Sequence, residues 1–162
     1  MSEAMTGGCQ CGAIRYRVAS EPKLVAVCHC RMCQKASGSI LWPFLTVPRE
    51  ALAWTLGRPA HFRSSAAAER GFCAACGTPL TFRYVHSERI AVSIGSLDEP
   101  EKVAPKNQVG IEGRLSWFAT LPTLPDDKTT EEDEPALAAK IAASNHQHPD
   151  HDTERWPPEP KP

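Results

Sequence analysis

The chain has 162 residues, a formal net charge of −1, 41% hydrophobic residues and seven cysteines. That length suits one domain with an adequate core and an appendage. No apolar run approaches the roughly 18 residues of a membrane span. The start, Met1 to Gly8, is short and polar with no apolar signal core, so a reducing, cytoplasmic setting and no membrane partner are expected.

Taken in chain order, the first 125 residues read as β structure. Ala13-Ile14-Arg15-Tyr16-Arg17-Val18 alternates apolar and polar residues in the period-2 manner of a half-buried strand. Leu24 to Cys28 is an apolar run of buried-strand length. Ser39 to Val47 is another, and Pro43 within it argues for an edge strand or a bulge. Leu80 to Tyr84 and Arg89 to Ile94 form a hairpin across Val85 to Glu88, and Leu115 to Phe118 is expected to close the sheet. No stretch of this body carries a sustained 3.6-residue apolar stripe, so an all-β domain is expected over residues 1–125.

Residues 126–162 differ in kind. The body carries 14 Lys and Arg against 9 Asp and Glu, whereas this segment carries 4 against 10. Asp126 to Glu134 is a solvated acidic run, and Pro135 to Ala143 offers one short helix with proline in its first turn. Asn145 to Pro162 has His146, His148 and His151 and five prolines, but only Trp156 as a large apolar group. Such a segment cannot offset its ordering entropy and is expected to be mostly disordered. Its removal should leave melting nearly unchanged.

The cysteines fall into three groups: Cys9 and Cys11, then Cys28, Cys30 and Cys33, then Cys73 and Cys76. An odd count without an export signal argues against a disulfide framework. Soft thiolate sites also take iron or an iron–sulfur cluster, but zinc is the expected metal. The natural partition is four and three. Cys9, Cys11, Cys73 and Cys76 would close a tetrahedral, structural site, and Cys28, Cys30 and Cys33 would leave one position vacant, as a catalytic zinc does. On an extended strand the two sulfurs of a C-x-C pair point to one face, and Gly12 and Gly77 beside the ligands permit tight turns.

Three stretches carry a resemblance. Gly7-Gly8-Cys9-Gln10-Cys11-Gly12-Ala13-Ile14-Arg15-Tyr16, Cys28-His29-Cys30-Arg31-Met32-Cys33-Gln34-Lys35 followed by Ser37-Gly38-Ser39, and Arg70-Gly71-Phe72-Cys73-Ala74-Ala75-Cys76-Gly77-Thr78-Pro79-Leu80 are similar to the three motifs of the glutathione-dependent formaldehyde-activating enzyme family. That family is also named for the centromere protein V domain. Ser64-Ser65 and Gly95-Ser96-Leu97-Asp98 fit as well, and the similarity spans roughly Thr6 to Pro125.

The resemblance implies a compact, zinc-stabilised, Mss4-like β fold. It also implies a structural zinc on the outer motifs, a reactive zinc on Cys28, Cys30 and Cys33, and a carbon–sulfur lyase acting on S-hydroxymethylglutathione. Glutathione or a related thiol and a small aldehyde are the implied partners. Arg31, Lys35 and Arg70 could pair with the substrate's carboxylates, and Ser37, Gly38 and Ser39 could hydrogen-bond it or simply turn the chain. Each basic residue reads equally well as solvated surface charge. His29 reads as a packed residue rather than a general base, Trp42, Phe44 and Trp54 as core, and His61 and His86 as non-ligands. Two alternatives stand beside this reading: a family enzyme using another thiol or electrophile, and a non-catalytic zinc-stabilised binding module. Nucleic acid is not an expected partner, because +5 over 125 residues is modest and the basic residues are not interleaved with aromatics. Oligomeric state is left open.

Overall fold

The computed structural model describes residues 4–154 and 156. Ten strands form two sheets. A three-stranded antiparallel sheet has the order β1 (Met5–Gly8), β2 (Arg15–Val18), β5 (Leu52–Leu56). A seven-stranded sheet runs β10 (Asn107–Val109), β3 (Leu24–Cys28), β4 (Trp42–Pro48), β9 (Arg89–Ser93), β8 (Pro79–Tyr84), β7 (Ala68–Phe72), β6 (Ala60–Arg63). Every pair is antiparallel except β10 with β3. Among the described residues no helix is long and apolar enough to cross a membrane.

Strand alternation divides the apolar residues between two clusters. On β4, Leu45 and Val47 enter the main core with Tyr16 and Val18 of β2, Leu80 of β8 and Val92 of β9. Trp42 and Phe44 point to the other face and join Ala26, Cys28, Cys33 and Ala91. The two cysteine groups are embedded in these clusters, Cys9 and Cys73 in the first, Cys28 and Cys33 in the second.

Several local expectations are corrected. Pro43 does not mark an edge, since β4 lies between β3 and β9. It sits opposite Val27 on one side, while the register with β9 begins only at Phe44. The missing N–H therefore falls where the ladder has ended. Leu115 to Phe118 is not a strand: Ser116–Thr123 forms a 3₁₀ stretch. A helix, α1 (Arg31–Ser37), stands where none was expected in the body. It is too short to show an apolar stripe.

Beyond the body, α2 (Thr130–Asp133) opens on a capping box between Thr129 and Glu132, and α3 (Pro135–Ser144) has its proline in the first turn. The expectation of an unordered tail does not extend to His148, Asp152 and Trp156. The His148 amide donates to the Gln10 carbonyl (2.7 Å), and the Trp156 indole donates to the Cys11 carbonyl (2.8 Å). Asp152 pairs with Arg15 at 2.7 Å. Composition misses this because the apolar and charged partners all lie on the body. Met1–Glu3, Arg155 and Pro157–Pro162 lie outside the described residues.

Candidate active site at three cysteines

The four-cysteine group is assembled by two turns rather than by strands. After β1 the Cys9 amide donates to the Ile14 carbonyl, and the Gly12 amide donates to that of Cys9. Gly12 has φ +74°, and a Cβ there would collide with His148 and Trp156. The second turn, Cys73 to Thr78, is closed by the Gly77 amide on the Cys73 carbonyl, with Gly77 at φ +80°. The i, i+2 strand argument for this C-x-C pair is thus replaced by a turn that serves the same end.

All seven cysteines are free thiols. The sulfurs of Cys9, Cys11, Cys73 and Cys76 lie within 4.8 Å of one another, as do those of Cys28, Cys30 and Cys33. Cys9 and Cys11 are 3.6 Å apart, Cys11 and Cys73 3.8 Å. A tetrahedron with zinc–sulfur bonds of about 2.3 Å requires sulfur separations of roughly 3.8 Å, whereas a disulfide requires about 2.05 Å. The donor set and its spacing fit a tetrahedral soft metal ion. Neither group includes a histidine, so His61, His86, His146, His148 and His151 belong to neither.

The thiols within each group differ in acidity. Burial pushes Cys9 up to about 12. Cys76 is also raised by burial, but the Thr78 hydroxyl (3.1 Å) and nearby backbone donors outweigh that and bring it to about 6. In the three-cysteine group burial raises Cys28 to about 12. At Cys30 the Cys33 backbone N–H and the neighbouring thiols outweigh burial and lower it. Burial raises Cys33 despite the Arg70 guanidinium 3.5 Å from its sulfur.

Three elements meet at this second group. Cys28 ends β3, Cys30 caps the start of α1 with its sulfur accepting from the Cys33 amide (3.4 Å), and Cys33 lies in the first turn. The 107–118 segment backs them. Val109 pairs with Cys28 in the parallel ladder and accepts from the His29 amide. Gly110, at φ +63°, passes so close that a Cβ would lie 2.7 Å from the Cys30 nitrogen and 3.2 Å from the Cys28 sulfur.

Buried Gln34 fastens this segment by donating to the carbonyls of His29 (2.8 Å) and Gly113 (2.9 Å). His29 is fully buried, bonded to Gln108 and packed edge-on to Phe118 at 4.7 Å. That is the packed role expected of it. The contact between Gln34 and Gly113 and that between Gln108 and His29 join positions 79 residues apart, so neither gave a local signal in the sequence.

Two grooves flank the group. The first, about 590 Å³, is lined by Arg31, Lys35, Ser37, Phe62, Ser64 and Arg70 among others, and by no cysteine. The second, about 500 Å³, is lined by all three cysteines and by Trp42, Phe44, Phe82 and Tyr84. Met32, Trp42 and Arg70 border both.

The predicted contact residues are divided by this geometry. Arg31 and Lys35 line the first groove with Arg70, although Arg31 also donates to Gln34 (3.2 Å). Ser37 lines it too, but its hydroxyl donates to the Cys33 carbonyl (2.8 Å) and so finishes α1. Gly38, at φ +65°, caps that helix. Neither Gly38 nor Ser39 lines either groove. Trp42 is core and wall at once; its Nε1–H is buried without a hydrogen-bond partner among the described residues.

Comparisons with known proteins agree with this architecture. Over 83 residues the chain is 34% identical to an uncharacterized lyase of Schizosaccharomyces pombe, an alignment covering 51% of this chain and 59% of that protein. The match therefore spans little more than half the relative's length. A crystal structure of a Rhodobacter sphaeroides protein shares the fold, with a TM-score of 0.53 and 20% identity over 65% of this chain and all of that one. Residues 4–112 match the model of the glutathione-dependent formaldehyde-activating enzyme family, and the chain belongs to that family.

Proposed function

We propose that the protein is a zinc-dependent carbon–sulfur lyase that makes and breaks the adduct between glutathione, or a related thiol, and a small aldehyde, as in S-hydroxymethylglutathione. The observation that carries this reading is the placement of three convergent thiols on the wall of an open groove, with cations on its neighbour. The family match and the lyase relative support it. In this reading Cys28, Cys30 and Cys33 hold the reactive zinc, and Cys9, Cys11, Cys73 and Cys76 hold a structural one. A zinc ion on three thiolates would supply an exchangeable position for a thiol or for the aldehyde oxygen.

The chain's own residues do the rest. The first groove gathers Arg31, Lys35 and Arg70, whose charges suit the carboxylates of a glutathione-like thiol. Arg70 lies over the Phe82 ring (5.0 Å) and donates to Cys33, so it is held at the border of both grooves and offsets the negative charge of the sulfurs. In synthesis the thiol sulfur bonds to the aldehyde carbon, the carbonyl π pair moves to oxygen, and the thiol proton ends on that oxygen. Cleavage reverses each change. Residues 1–125 form the catalytic unit, residues 126–162 an acidic appendage, and the reduced thiols suit the cytoplasm.

The test is exchange NMR of glutathione with formaldehyde, using metal-loaded protein, the Cys30→Ser variant and no protein. Acceleration by the native chain that is lost in a folded variant is the expected result. No acceleration by protein containing two zinc ions per chain would refute formaldehyde as substrate.

A further inference from the structure

Resting on that reading, we propose that the aldehyde this site accepts carries a bulky apolar group the size of a phenyl ring, seated in the second groove. Formaldehyde has two heavy atoms, against one in a water molecule that occupies roughly 30 Å³. The groove that contains the cysteines offers about 500 Å³, within the range of pockets that enclose whole ligands. A one-carbon substrate leaves nearly all of it unused.

The lining identifies the occupant. Trp42 and Phe44 are stacked at 5.2 Å with 16° between their planes. Phe82 stands edge-on to Trp42 at 6.4 Å, and Tyr84 edge-on to Phe82 at 5.1 Å. Leu24, Ala91 and Val109 complete an apolar floor. Arg70 already covers Phe82, so the guanidinium closes the groove towards the first one. Arg83, already paired with Glu69, and Arg89 line the groove as well, but the aromatic cluster beside the cysteines gains from apolar and aromatic surface.

The position of the sulfurs sets the orientation. Arg31 and Lys35 of the first groove and Phe44, Phe82 and Tyr84 of the second lie on opposite sides of the border formed by Met32, Trp42 and Arg70. A thiol anchored by its carboxylates in the first groove presents its sulfur at that border. The carbon joined to that sulfur, and whatever it carries, then extends over the cysteines into the second groove. The reaction is the one already balanced above, RS–H adding across R′CH=O to give RS–CH(OH)R′, with R′ apolar instead of hydrogen.

Two measurements test this on the metal-loaded full chain. The first is calorimetric binding of two unreactive thioethers, S-methylglutathione and S-benzylglutathione. The benzyl compound should bind at least tenfold more tightly. Thr46→Trp, which fills the groove from β4, and Tyr84→Ala, which opens its rim, should each reduce that ratio in variants whose melting is retained. The second is kcat/KM for 3-phenylpropanal against formaldehyde with glutathione, expected to favour the larger aldehyde.

Equal binding of the two thioethers, or a ratio untouched by both variants, would overturn the proposal. Efficient turnover of formaldehyde with none of 3-phenylpropanal would overturn it while leaving the lyase reading intact. Failure of both aldehydes would remove the lyase reading and this proposal together. A dimer by light scattering that gains the benzyl preference only on dilution would assign the groove to a second copy of the chain and equally overturn it.

Discussion

Asp98 gives the most direct test of how the outer motif is held. Its carboxylate accepts from Arg15 through both oxygens (2.8 and 2.6 Å) and from the Thr6 hydroxyl (2.6 Å). Both side chains of the pair are 6% exposed, whereas Asp152, the second partner of Arg15, is 57% exposed. Removing one member of a buried pair costs about 3–5 kcal/mol, because the survivor is left uncompensated. Asp152 remains and recovers part of that, so Asp98→Ala should cost about 3 kcal/mol. At roughly 2–4 °C per kcal/mol for a chain of this size, melting should fall by about 10 °C.

Urea unfolding at fixed zinc concentration measures the loss, and a double-mutant cycle with Arg15→Met isolates the pair. The double variant should be more stable than the sum of the singles predicts. A loss below about 1 kcal/mol, or strict additivity, would refute the reasoning. The pH dependence has a definite sign. Burial pushes the Asp98 carboxyl up, but the donors Arg15 and Thr6 outweigh it and hold it below its ordinary value. Its contribution is therefore full above about pH 4, the unfolded value, and is lost as pH falls through the lower folded value. Asp98→Asn should flatten stability against pH in that acidic window.

On the proposed two-zinc reading, Cys11→Ser and Cys76→Ser should each lower bound zinc from two ions to one and abolish cooperative unfolding, because structural metal binding is folding free energy. Cys30→Ser should also lower the count while leaving near-native circular dichroism. Gly12→Ala should cost about 2 kcal/mol, combining a positive-φ penalty with displacement of His148 and Trp156; in a chain ending at Asn145 the same change should cost about half as much. Gln34→Ala leaves a buried and a half-buried carbonyl without this donor and should cost about 2 kcal/mol by denaturant unfolding. A negligible effect would mean that the 107–118 segment is held by other contacts.

The site was more legible in the sequence than the sheets were. Cysteine spacing is local, and a thiolate has few other roles in a reduced protein, so the four-and-three grouping followed from the residues. β2, β3, β4, β8 and β9 were visible because each supplies apolar residues to a core. β6 was not: its residues are exposed or half-exposed, so it lacks the alternation that a buried face imposes. α1 was missed because seven residues give two turns, and its start is a cysteine side chain rather than a Ser or Asp cap. β10 was beyond reach for a third reason. It is three residues long and is defined only by its parallel pairing with β3, about eighty positions earlier. The grooves follow from that same long-range assembly, and spacing does not encode it.

The two sulfur groups differ less in composition than in what surrounds them, and that difference supports the roles proposed for them. At the four-cysteine group both turns are closed by their own backbone bonds, and the returning chain adds the Gln10 and Cys11 carbonyl contacts from the outside. Those few hydrogen bonds are worth about 1 kcal/mol each. Ordering the ten or so residues that make them costs a similar or larger sum. The tail is therefore expected to change overall melting little while limiting access to the Cys9–Gly12 turn. The three-cysteine group has no such cover. Its protein contacts come from behind, through Gln34, His29 and Gly110, and its front is open to two grooves. A site braced from behind and open in front holds its ligands in place while exchanging what binds to them, whereas one enclosed by two turns and a strap can only hold. That contrast supports the division proposed above, with chemistry at Cys28, Cys30 and Cys33 and the fold at the other four.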